Sequence, residues 1–377
     1  MPSDAYYLYD EQTILNQLSL LKKHFPQVTL LYSVKTNPHK EILRSLFAHG
    51  CGADAASAAE VCLAQTHGAK IISYSAPGKT ETDIRETWGC RIVADSLREL
   101  ALLEKIAAEK NQTAEISLRI NPGPSPSKFG IDADELFAQK NFTGAYPHLN
   151  ITGIHVHLKS QILDWKELSP YYETVFSLAA KMFAAGLDIR IINFGSGIGV
   201  PYGDEAPLNL EALGQKFAEL NAKYNTFGAA LFFEPGRFLV CRAGTYYTKV
   251  LDKKTSHGTT YLIVAGGLNG FLRPGMAHLA ASYGAISHPA EPLVTNNFPC
   301  AFAIHNGSDE MERVTIAGSL CSAWDVFAED ICLPKADTGD WIEINNAGAY
   351  GCTLSLREFA GARKAEERFR KVSGEII

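Results

Sequence analysis

The chain of 377 residues has no long uninterrupted apolar run and no cluster of basic residues. No stretch approaches the roughly 20 apolar residues of a membrane-spanning helix. The opening residues, MPSDAYYLYDEQ, lack the basic and apolar regions of a signal peptide. A formal net charge of −6 argues against a nucleic-acid surface. We therefore expect a cytoplasmic protein that acts on a small molecule, with no nucleic-acid or membrane partner.

The cysteines are also sparse and scattered. Eight occur, at positions 51, 62, 90, 241, 300, 321, 332 and 352, and no C-x-x-C pair is among them. In a chain of this length the pattern favours reduced thiols over a disulfide framework or a zinc knuckle.

Apolar residues make up 46% of the chain and charged residues 20%, as in a globular protein with a sizeable core. Short β-rich runs alternate with amphipathic segments over the first two thirds. The runs are 29–34, 51–57, 71–76, 91–95, 115–121, 151–158, 189–195 and 230–236. This alternation predicts a (β/α)8 TIM barrel. A doubly wound sheet would alternate similarly, but eight successive repeats fit a closed barrel better.

The pattern changes after about residue 240. Strand-like runs such as TTYLIVAGG and RVTIAGSLC then alternate with turns rich in Gly, Pro and Asn, without a long amphipathic helix. This predicts an antiparallel β domain, a sandwich or barrel, to which the opening run AYYLYD also belongs. The predicted domains are therefore a barrel over 12–240 and a β domain formed by 1–11 and 241–377.

Polar residues stand where the barrel strands end, and in such barrels the active site lies at the carboxyl ends of the strands. They are Lys35, Asp54, Ser75, Asp95, Arg119, His157, the turn Gly195-Ser196-Gly197, Glu234 and Arg237. Each alone is typical of a strand-end residue in water, above all Ser75 and Asp95. Together they predict a ring of titratable groups around one barrel mouth.

The glycine-rich turn FGSGIGVPY (194–202) follows the seventh strand. Glycines let backbone N–H groups surround an anion, and barrel phosphate sites form after this strand. A plain tight turn is the alternative. The EPGR segment follows strand eight with Gly236, and Arg237 can add a charge-assisted contact to the same phosphate.

Two histidines in HVH (155–157) raise the possibility of a metal site, because residues i and i+2 of a strand share a face. Asp54 and Glu234 are available as further ligands, but no second histidine cluster stands near a strand end. We therefore expect no metal, and expect His157 to stack on a flat ring.

A lysine, a phosphate cradle and a carboxylate around one mouth indicate pyridoxal 5′-phosphate. A lysine amine can form a Schiff base with its aldehyde, and a carboxylate can keep the pyridine nitrogen protonated. The protonated ring then accepts the electrons released when a bond at Cα breaks.

Short motifs throughout the chain support this interpretation. In order they are YSVKTNP, GADAAS, HVHLKSQ, NFGSGIGVPY, EPGR, GGLNGFLRP, LCSAWD and NAGAYG. As an ordered set from Lys35 to Tyr350 they resemble the fold-type III, alanine-racemase-like decarboxylases, which include the diaminopimelate and ornithine decarboxylases.

The resemblance implies a role for each matching residue. Lys35 would form the Schiff base, His157 would stack on the cofactor ring, and Glu234 would pair with the pyridine nitrogen. The other cofactor-binding residues would be Asp54, Arg119 near the phenolic oxygen, Ser160, Gly195, Ser196, Gly197, Gly236, Arg237 and Tyr350, with Ser160, Gly197, Arg237 and Tyr350 on the phosphate. Arg273 would meet a substrate carboxylate. Cys321 would protonate the carbanion in the second subunit of a homodimer with shared active sites.

Two departures from the family pattern concern the substrate. Ser322 stands where the resemblance implies an acid that pairs with the distal ammonium of a diamino acid, and Lys159 replaces a glycine. A missing anion and an added cation predict a substrate with an acidic or acylated far end, such as citryl-diaminopropionate or a carrier-bound amino acid. The siderophore and secondary-metabolism branch fits this description. Diaminopimelate decarboxylase is the alternative, because Asp325 or another acid could bind the ammonium.

Two other classes remain open. A racemase of the same barrel would need a second base opposite Lys35 and would leave the cysteine motif without a role. A non-catalytic homologue tends to lose the lysine or phosphate contacts, and both sets are present here.

Overall fold

The computed structural model describes residues 3–123, 125–138, 143–276 and 301–377. The chain divides into two compact units. The barrel unit comprises Ser19–Gly199 and Leu208–Gly236, and the β unit comprises Met1–Leu18, Val200–Pro207 and Arg237–Ile377. The domain bounds given above, 12–240 against 1–11 with 241–377, stay a prediction beside these units.

Eight parallel strands build the barrel unit. They are β2 (Val28–Ser33), β3 (Gly52–Ala55), β4 (Ile72–Tyr74), β5 (Arg91–Ala94), β6 (Ala114–Asn121), β8 (Leu149–His155), β9 (Ile191–Asn193) and β10 (Ala230–Phe233). Each pairs with its neighbours, and pairing of β5 with β6 and of β10 with β2 closes the ring. The predicted TIM barrel is confirmed. A two-residue strand, β7 (Ile131–Asp132), adds to β6.

Helices follow the barrel strands. They are α2 (Lys40–Ala48), α3 (Ala58–Thr66), α4 (Glu81–Glu86), α5 (Leu97–Glu109), α6 (Ala133–Ala138), α7 (Trp165–Ala184) and α8 (Leu210–Tyr224), while α1 (Glu11–His24) precedes β2. Several begin at a side-chain cap: Ser57 and Ser96 each accept the N–H three residues on, and Thr80 forms a capping box with Asp83. These caps satisfy backbone donors that the first helical turn cannot pair, so each helix has a defined start.

An aromatic cluster packs between α7, α8 and the strands they cover. Tyr172 stacks on Phe233 with ring centroids 5.2 Å apart, and Phe217 meets Phe194 edge to face at 5.2 Å. The Tyr171 hydroxyl donates to the carbonyl of Val156 at 2.9 Å and also to that of Phe194. This tyrosine therefore joins the carboxyl ends of two barrel strands from the helix that covers them.

The β unit is a mostly antiparallel sheet, as predicted. Its strands are β1 (Ala5–Asp10), β11 (Gly244–Ser256), β12 (Thr259–Val264), β13 (Phe302–Ile304), β14 (Met311–Gly318), β15 (Val326–Pro334), β16 (Trp341–Ile344) and β17 (Glu366–Arg370), with a short helix, α9 (Arg237–Val240). Strand β1 pairs antiparallel with β11 and parallel with β17. Strands β12 and β14 are also parallel.

The seven cysteines within the described residues are free thiols, and Cys300 lies outside those residues. In the same part of the chain, none of the helices combines the length and apolar character needed to cross a membrane.

Candidate active site

Lys35 lies on a single 3-10 turn, Val34–Thr36, directly after β2. Its Nζ atom is 3.7 Å from Oδ2 of Asp54 at the end of the neighbouring strand β3. Asp54 is buried and accepts hydrogen bonds of 2.6 Å from the hydroxyls of Ser33 and Ser75. The two serines fix the carboxylate in place, so the lysine has a rigid anionic neighbour at the barrel mouth.

The turn that carries Lys35 requires a glycine in the segment after β10. A Cβ atom on Gly236 would collide with the Thr36 hydroxyl and with the Ser33 side chain. The amide of Ser33 also donates to the Pro235 carbonyl at 3.3 Å. The glycine of EPGR thus lets this segment approach the lysine turn closely.

Glu234 lies just after β10 and is buried among polar partners. Oε2 is 2.9 Å from Nε2 of His155, and Oε1 accepts a 2.7 Å hydrogen bond from the Asn193 side chain. Burial alone raises the pKa of Glu234, but His155, Lys35 and Asn193 outweigh that effect and lower it below its usual value. Glu234 is therefore an oriented, ionised carboxylate.

The two histidines of HVH have different partners. His155, the last residue of β8, faces Glu234, whereas His157 lies beyond the strand with Nε2 3.1 Å from the Ser160 hydroxyl. Burial, together with the positive charges of Arg119 and Lys35, lowers the pKa of His157 to about 3. Its imidazole is thus neutral at ordinary pH. No group of three His, Cys, Asp or Glu side chains among the described residues could hold a metal ion.

The glycine turn after β9 packs tightly on its surroundings. Gly195 (φ 59°) and Gly197 (φ 74°) have positive φ, and a Cβ on Gly195 would collide with the His157 ring. The N–H of Gly195 donates to the Asn193 side chain at 3.0 Å, and the carbonyl of Ser196 accepts from Tyr172 at 2.7 Å. The turn is therefore held from both sides, with bare backbone next to the histidine.

Arg119, near the end of β6, is also fixed. Its Nη1 atom donates to the Ser75 carbonyl at 3.2 Å and lies 3.5 Å from Oδ1 of Asp95. The guanidinium sits over the Phe129 ring, 4.2 Å from its centroid. Burial raises the pKa of Asp95 despite the nearby arginine.

Behind Asp95 lies a fully buried ion pair that the sequence did not single out. Lys79 Nζ is 3.0 Å from Oε2 of Glu99, and the same oxygen accepts the Asp95 N–H at 2.9 Å. This pair joins the ends of β4 and β5 on the side of the barrel mouth that holds Arg119.

Lys159 forms an ion pair with Glu167 in the first turn of α7. The ammonium expected at the mouth from the sequence is thus neutralised in part by a neighbouring carboxylate.

In the β unit, two buried arginines contact Tyr202. Nη1 of Arg237 donates to the Tyr202 hydroxyl at 2.7 Å, and the Arg273 guanidinium lies 4.6 Å from the centroid of the same ring. Arg237 also lies 5.0 Å from the Tyr350 ring centroid. Tyr202 received no role in the sequence interpretation, although the motif ending in it was identified.

The cysteine motif follows β14 in an exposed loop. Cys321 is exposed and Trp324 is 62% exposed. Asp325, by contrast, is buried, and its two oxygens accept the N–H groups of Leu268 (2.7 Å) and Leu320 (2.8 Å). The hydroxyl of Ser322 accepts the N–H of Trp324 at 3.2 Å. Asp325 therefore anchors the loop that presents the thiol.

The barrel-mouth residues fit the pyridoxal phosphate that the sequence predicts. They offer an amine at Lys35, an ionised carboxylate at Glu234, a neutral imidazole at His157 and a glycine turn that brings backbone close. Which of these residues bind the cofactor stays a prediction.

Comparison with known proteins agrees with this chemistry. Residues 11–241 match the model of the family described as pyridoxal-dependent decarboxylase, pyridoxal binding domain. The chain is 30% identical to a diaminopimelate decarboxylase of Aquifex aeolicus, over 98% of this chain and 88% of the relative. It is also 30% identical to an L-glutamyl-[BtrI acyl-carrier protein] decarboxylase of Niallia circulans, over 94% of this chain and 86% of that protein.

Its structure resembles that of a diaminopimelate decarboxylase from Helicobacter pylori in complex with L-lysine. The TM-score is 0.85 at 26% sequence identity, over 99% of this chain and 92% of the other.

Proposed function

Because the chain belongs to the pyridoxal-dependent decarboxylases, we propose that it removes CO2 from an amino acid whose far end is conjugated. It is a carboxy-lyase that acts on an amino-acid-type substrate with pyridoxal 5′-phosphate as cofactor. The proposal concerns which amino acid that is and which residues act on it.

When bound, the cofactor supplies an aldehyde for the substrate amine and an electron-accepting ring for the pair left after the Cα–CO2 bond breaks. We assign Lys35 Nζ as the amine that holds the aldehyde between turnovers, with Asp54 as its neighbouring anion. The ionised Glu234 would hold the proton on the ring nitrogen, and the neutral His157 would lie against the ring face. Asp54, Arg119, Ser160, the turn 195–197, Gly236, Arg237 and Tyr350 complete the proposed cofactor-binding set.

The substrate proposal depends on the hydrogen bonds that Asp325 already accepts from the backbone. This residue is the one acid in the loop sequence SLCSAWD (319–325), and both its oxygens accept backbone N–H groups. Ser322, next to the cysteine, offers a hydroxyl that already accepts a backbone N–H. Neither Asp325 nor Ser322 replaces an acid that faces a distal ammonium. Without such an acid, a free diamino acid would lose about 1.5–3 kcal/mol of binding free energy.

The named relatives support both a conjugated and a free substrate. One is a decarboxylase of a glutamyl group on an acyl-carrier protein, which is a conjugated amino acid, and another acts as a diaminopimelate decarboxylase. We propose a conjugate such as citryl-diaminopropionate, in a siderophore or other secondary pathway. Lysine biosynthesis from diaminopimelate is the second candidate.

We further propose that Sγ of Cys321 delivers the proton to Cα after CO2 leaves. The thiol is exposed on its loop. The proposal places it in the active site of a second copy of the chain, so that a homodimer would be the working form. Arg273 would bind a substrate carboxylate, and Lys159 with Ser322 would lie near the far end of the substrate.

Release of CO2 from a substrate panel tests the proposal. The most informative pair is 2,3-diaminopropionate and citryl-diaminopropionate, which differ in the conjugate alone. Diaminopimelate, lysine and ornithine complete the panel, and Lys35→Ala is the inactive control. We expect the conjugate to be turned over fastest. Rapid turnover of diaminopimelate would overturn the assignment.

A further inference from the structure

Tyr202 contacts two buried arginines through two different parts of its side chain. Its hydroxyl accepts a 2.7 Å hydrogen bond from Nη1 of Arg237, whose guanidinium carbon also lies 5.7 Å from the ring centroid. The ring lies closer to Arg273, whose guanidinium carbon is 4.6 Å from the centroid. Tyr202, Arg237 and Arg273 are 5%, 7% and 6% exposed. All three belong to the β unit, in which Tyr202 lies in the short segment Val200–Pro207.

Each arginine has a second support. Arg237 lies 5.0 Å from the centroid of the Tyr350 ring. Arg273 donates from Nη2 to the Asn346 carbonyl at 2.7 Å and lies 4.8 Å from the Phe271 ring centroid. Each guanidinium is thus held by Tyr202 and by at least one further aromatic ring, Tyr350 for Arg237 and Phe271 for Arg273.

Contacts of this kind orient a guanidinium without neutralising its charge. An aromatic face attracts the cation and a phenol oxygen accepts one N–H, and neither group brings a negative charge to the guanidinium. Burial raises the pKa of Tyr202 to about 12, so the side chain stays a neutral phenol. A carboxylate at this position would instead compete with any anionic ligand.

We propose that Tyr202 is a positioning residue that sets two anion-binding arginines, Arg237 chiefly through its hydroxyl and Arg273 through its ring face. This inference rests on the proposed function, in which Arg237 meets the cofactor phosphate and Arg273 a substrate carboxylate. The hydroxyl then governs retention of the cofactor, and the ring governs recognition of the carboxylate.

Two variants separate the two parts of the side chain. Tyr202→Phe removes the hydroxyl and keeps the ring, and Tyr202→Leu removes both. Tyr9→Phe is the matched control, because Tyr9 is a buried tyrosine of the same unit whose hydroxyl donates to Glu367 at 2.9 Å. It reports the effect of losing one tyrosine hydroxyl elsewhere in the unit.

Two binding measurements on the holoenzyme provide the readouts. The first is the dissociation constant of pyridoxal 5′-phosphate, from the loss of bound-cofactor absorbance on dilution. The second is the ratio of the dissociation constants of cadaverine and L-lysine by calorimetry, because these probes differ in the carboxylate alone. Tyr202→Phe should weaken cofactor binding about three- to tenfold and leave the ratio within twofold. Tyr202→Leu should also lower the ratio about three- to tenfold, and Tyr9→Phe should change neither.

A cofactor dissociation constant within twofold of wild type in Tyr202→Phe would overturn the inference. A fall of about three- to tenfold in the cadaverine-to-lysine ratio of Tyr202→Phe would also overturn the inference. Tyr202→Phe therefore tests the inference even where Tyr202→Leu does not fold. Arg237→Gln and Arg273→Gln test the proposed function separately. Should these two leave cofactor affinity and the ratio unchanged, the assigned roles of the arginines fail. Should they act as assigned while Tyr202→Phe has no effect, only the inference about Tyr202 fails.

Discussion

Nε2 of His155 lies 2.9 Å from Oε2 of Glu234, and both side chains are buried. His155 ends β8, and Glu234 follows β10, so the pair spans the strand β9 between them. Asn193 at the end of β9 donates to the other carboxylate oxygen at 2.7 Å. Three adjacent strand ends thus cooperate to hold one carboxylate in its ionised form.

Replacing His155 with Phe should move the acid limb of the pH–rate profile upwards. The pKa of Glu234 is lowered by His155, Lys35 and Asn193 against the effect of burial, so losing His155 lets that pKa rise. The carboxylate then takes up a proton at higher pH and, in the proposed function, would no longer hold the proton on the cofactor ring. The acid limb of the variant should therefore lie at higher pH than that of the wild type. The dependence of kcat/KM on pH measures the position of the acid limb. His305→Phe, at an exposed histidine, is the control. Coincident acid limbs in wild type and His155→Phe would contradict the prediction.

Replacing His157 with Gln should make stability less sensitive to acid. Burial and nearby positive charges lower the pKa of His157 in the folded protein to about 3, from 6.5. As pH falls below 6.5 the unfolded chain binds the proton first, so wild-type stability is lost between pH 6.5 and about 3. Glutamine does not titrate, and the loss should be smaller in the variant. Urea unfolding at pH 7 and pH 5 measures how much stability each protein loses. Because His157 is partly exposed, solvent screening reduces the difference in this loss between wild type and variant. His305→Gln should behave as wild type, and equal losses in wild type and His157→Gln would disprove the assignment.

Ser33→Ala and Ser75→Ala should each destabilise the barrel unit. Each hydroxyl donates a 2.6 Å hydrogen bond to the buried carboxylate of Asp54, and alanine leaves that oxygen without its donor. The expected cost is about 1–3 kcal/mol per variant, measured by urea unfolding. Ser308→Ala, whose hydroxyl bonds at the surface, should cost less than about 0.5 kcal/mol. Equal stability of all three variants would show that the serines do not support Asp54.

Ser322→Glu should shift the substrate preference towards free diaminopimelate. A glutamate beside Cys321 supplies the anion that a distal ammonium needs, a contact of about 1.5–3 kcal/mol, so kcat/KM for diaminopimelate should rise about ten- to a hundredfold. Ser322→Gln is the matched control, because it has the same length without the charge. Similar rates for the Glu and Gln variants would mean that this position does not face the ammonium.

The sequence predicted the barrel well because the period of its strands is local. All eight predicted runs overlap a barrel strand, but several are too long: the run 151–158 ends as a strand at His155. Apolar residues continue beyond the last ladder hydrogen bond, and composition does not mark that point. His157 therefore lies outside the strand, and the shared-face argument for HVH does not apply to it.

The contacts that sequence reasoning missed all depend on residues far apart in the chain. Asn193 meets Glu234 across 41 positions, and Tyr202 meets Arg237 across 35. The pairing of strands β9 and β10 produces the first contact, and the position of the segment Val200–Pro207 in the β unit produces the second. The hydrogen bond from the Leu268 N–H to Asp325, 57 positions away, could likewise not be predicted from a short loop motif.

The first strand has its own consequence during synthesis. Residues Ala5–Asp10 leave the ribosome ahead of the other strands that the structure describes. Their partners are β11, which begins at Gly244, and β17, which begins at Glu366. The nascent chain therefore carries an unpaired, tyrosine-rich strand edge while the whole barrel is being translated, and such an edge is prone to aggregation. The chain also passes between the two units at residues 18, 199, 207 and 236. A single cut in the gene consequently cannot separate the two units into independent halves, and an exchange of barrels between relatives has to leave the opening strand and Val200–Pro207 with the β unit.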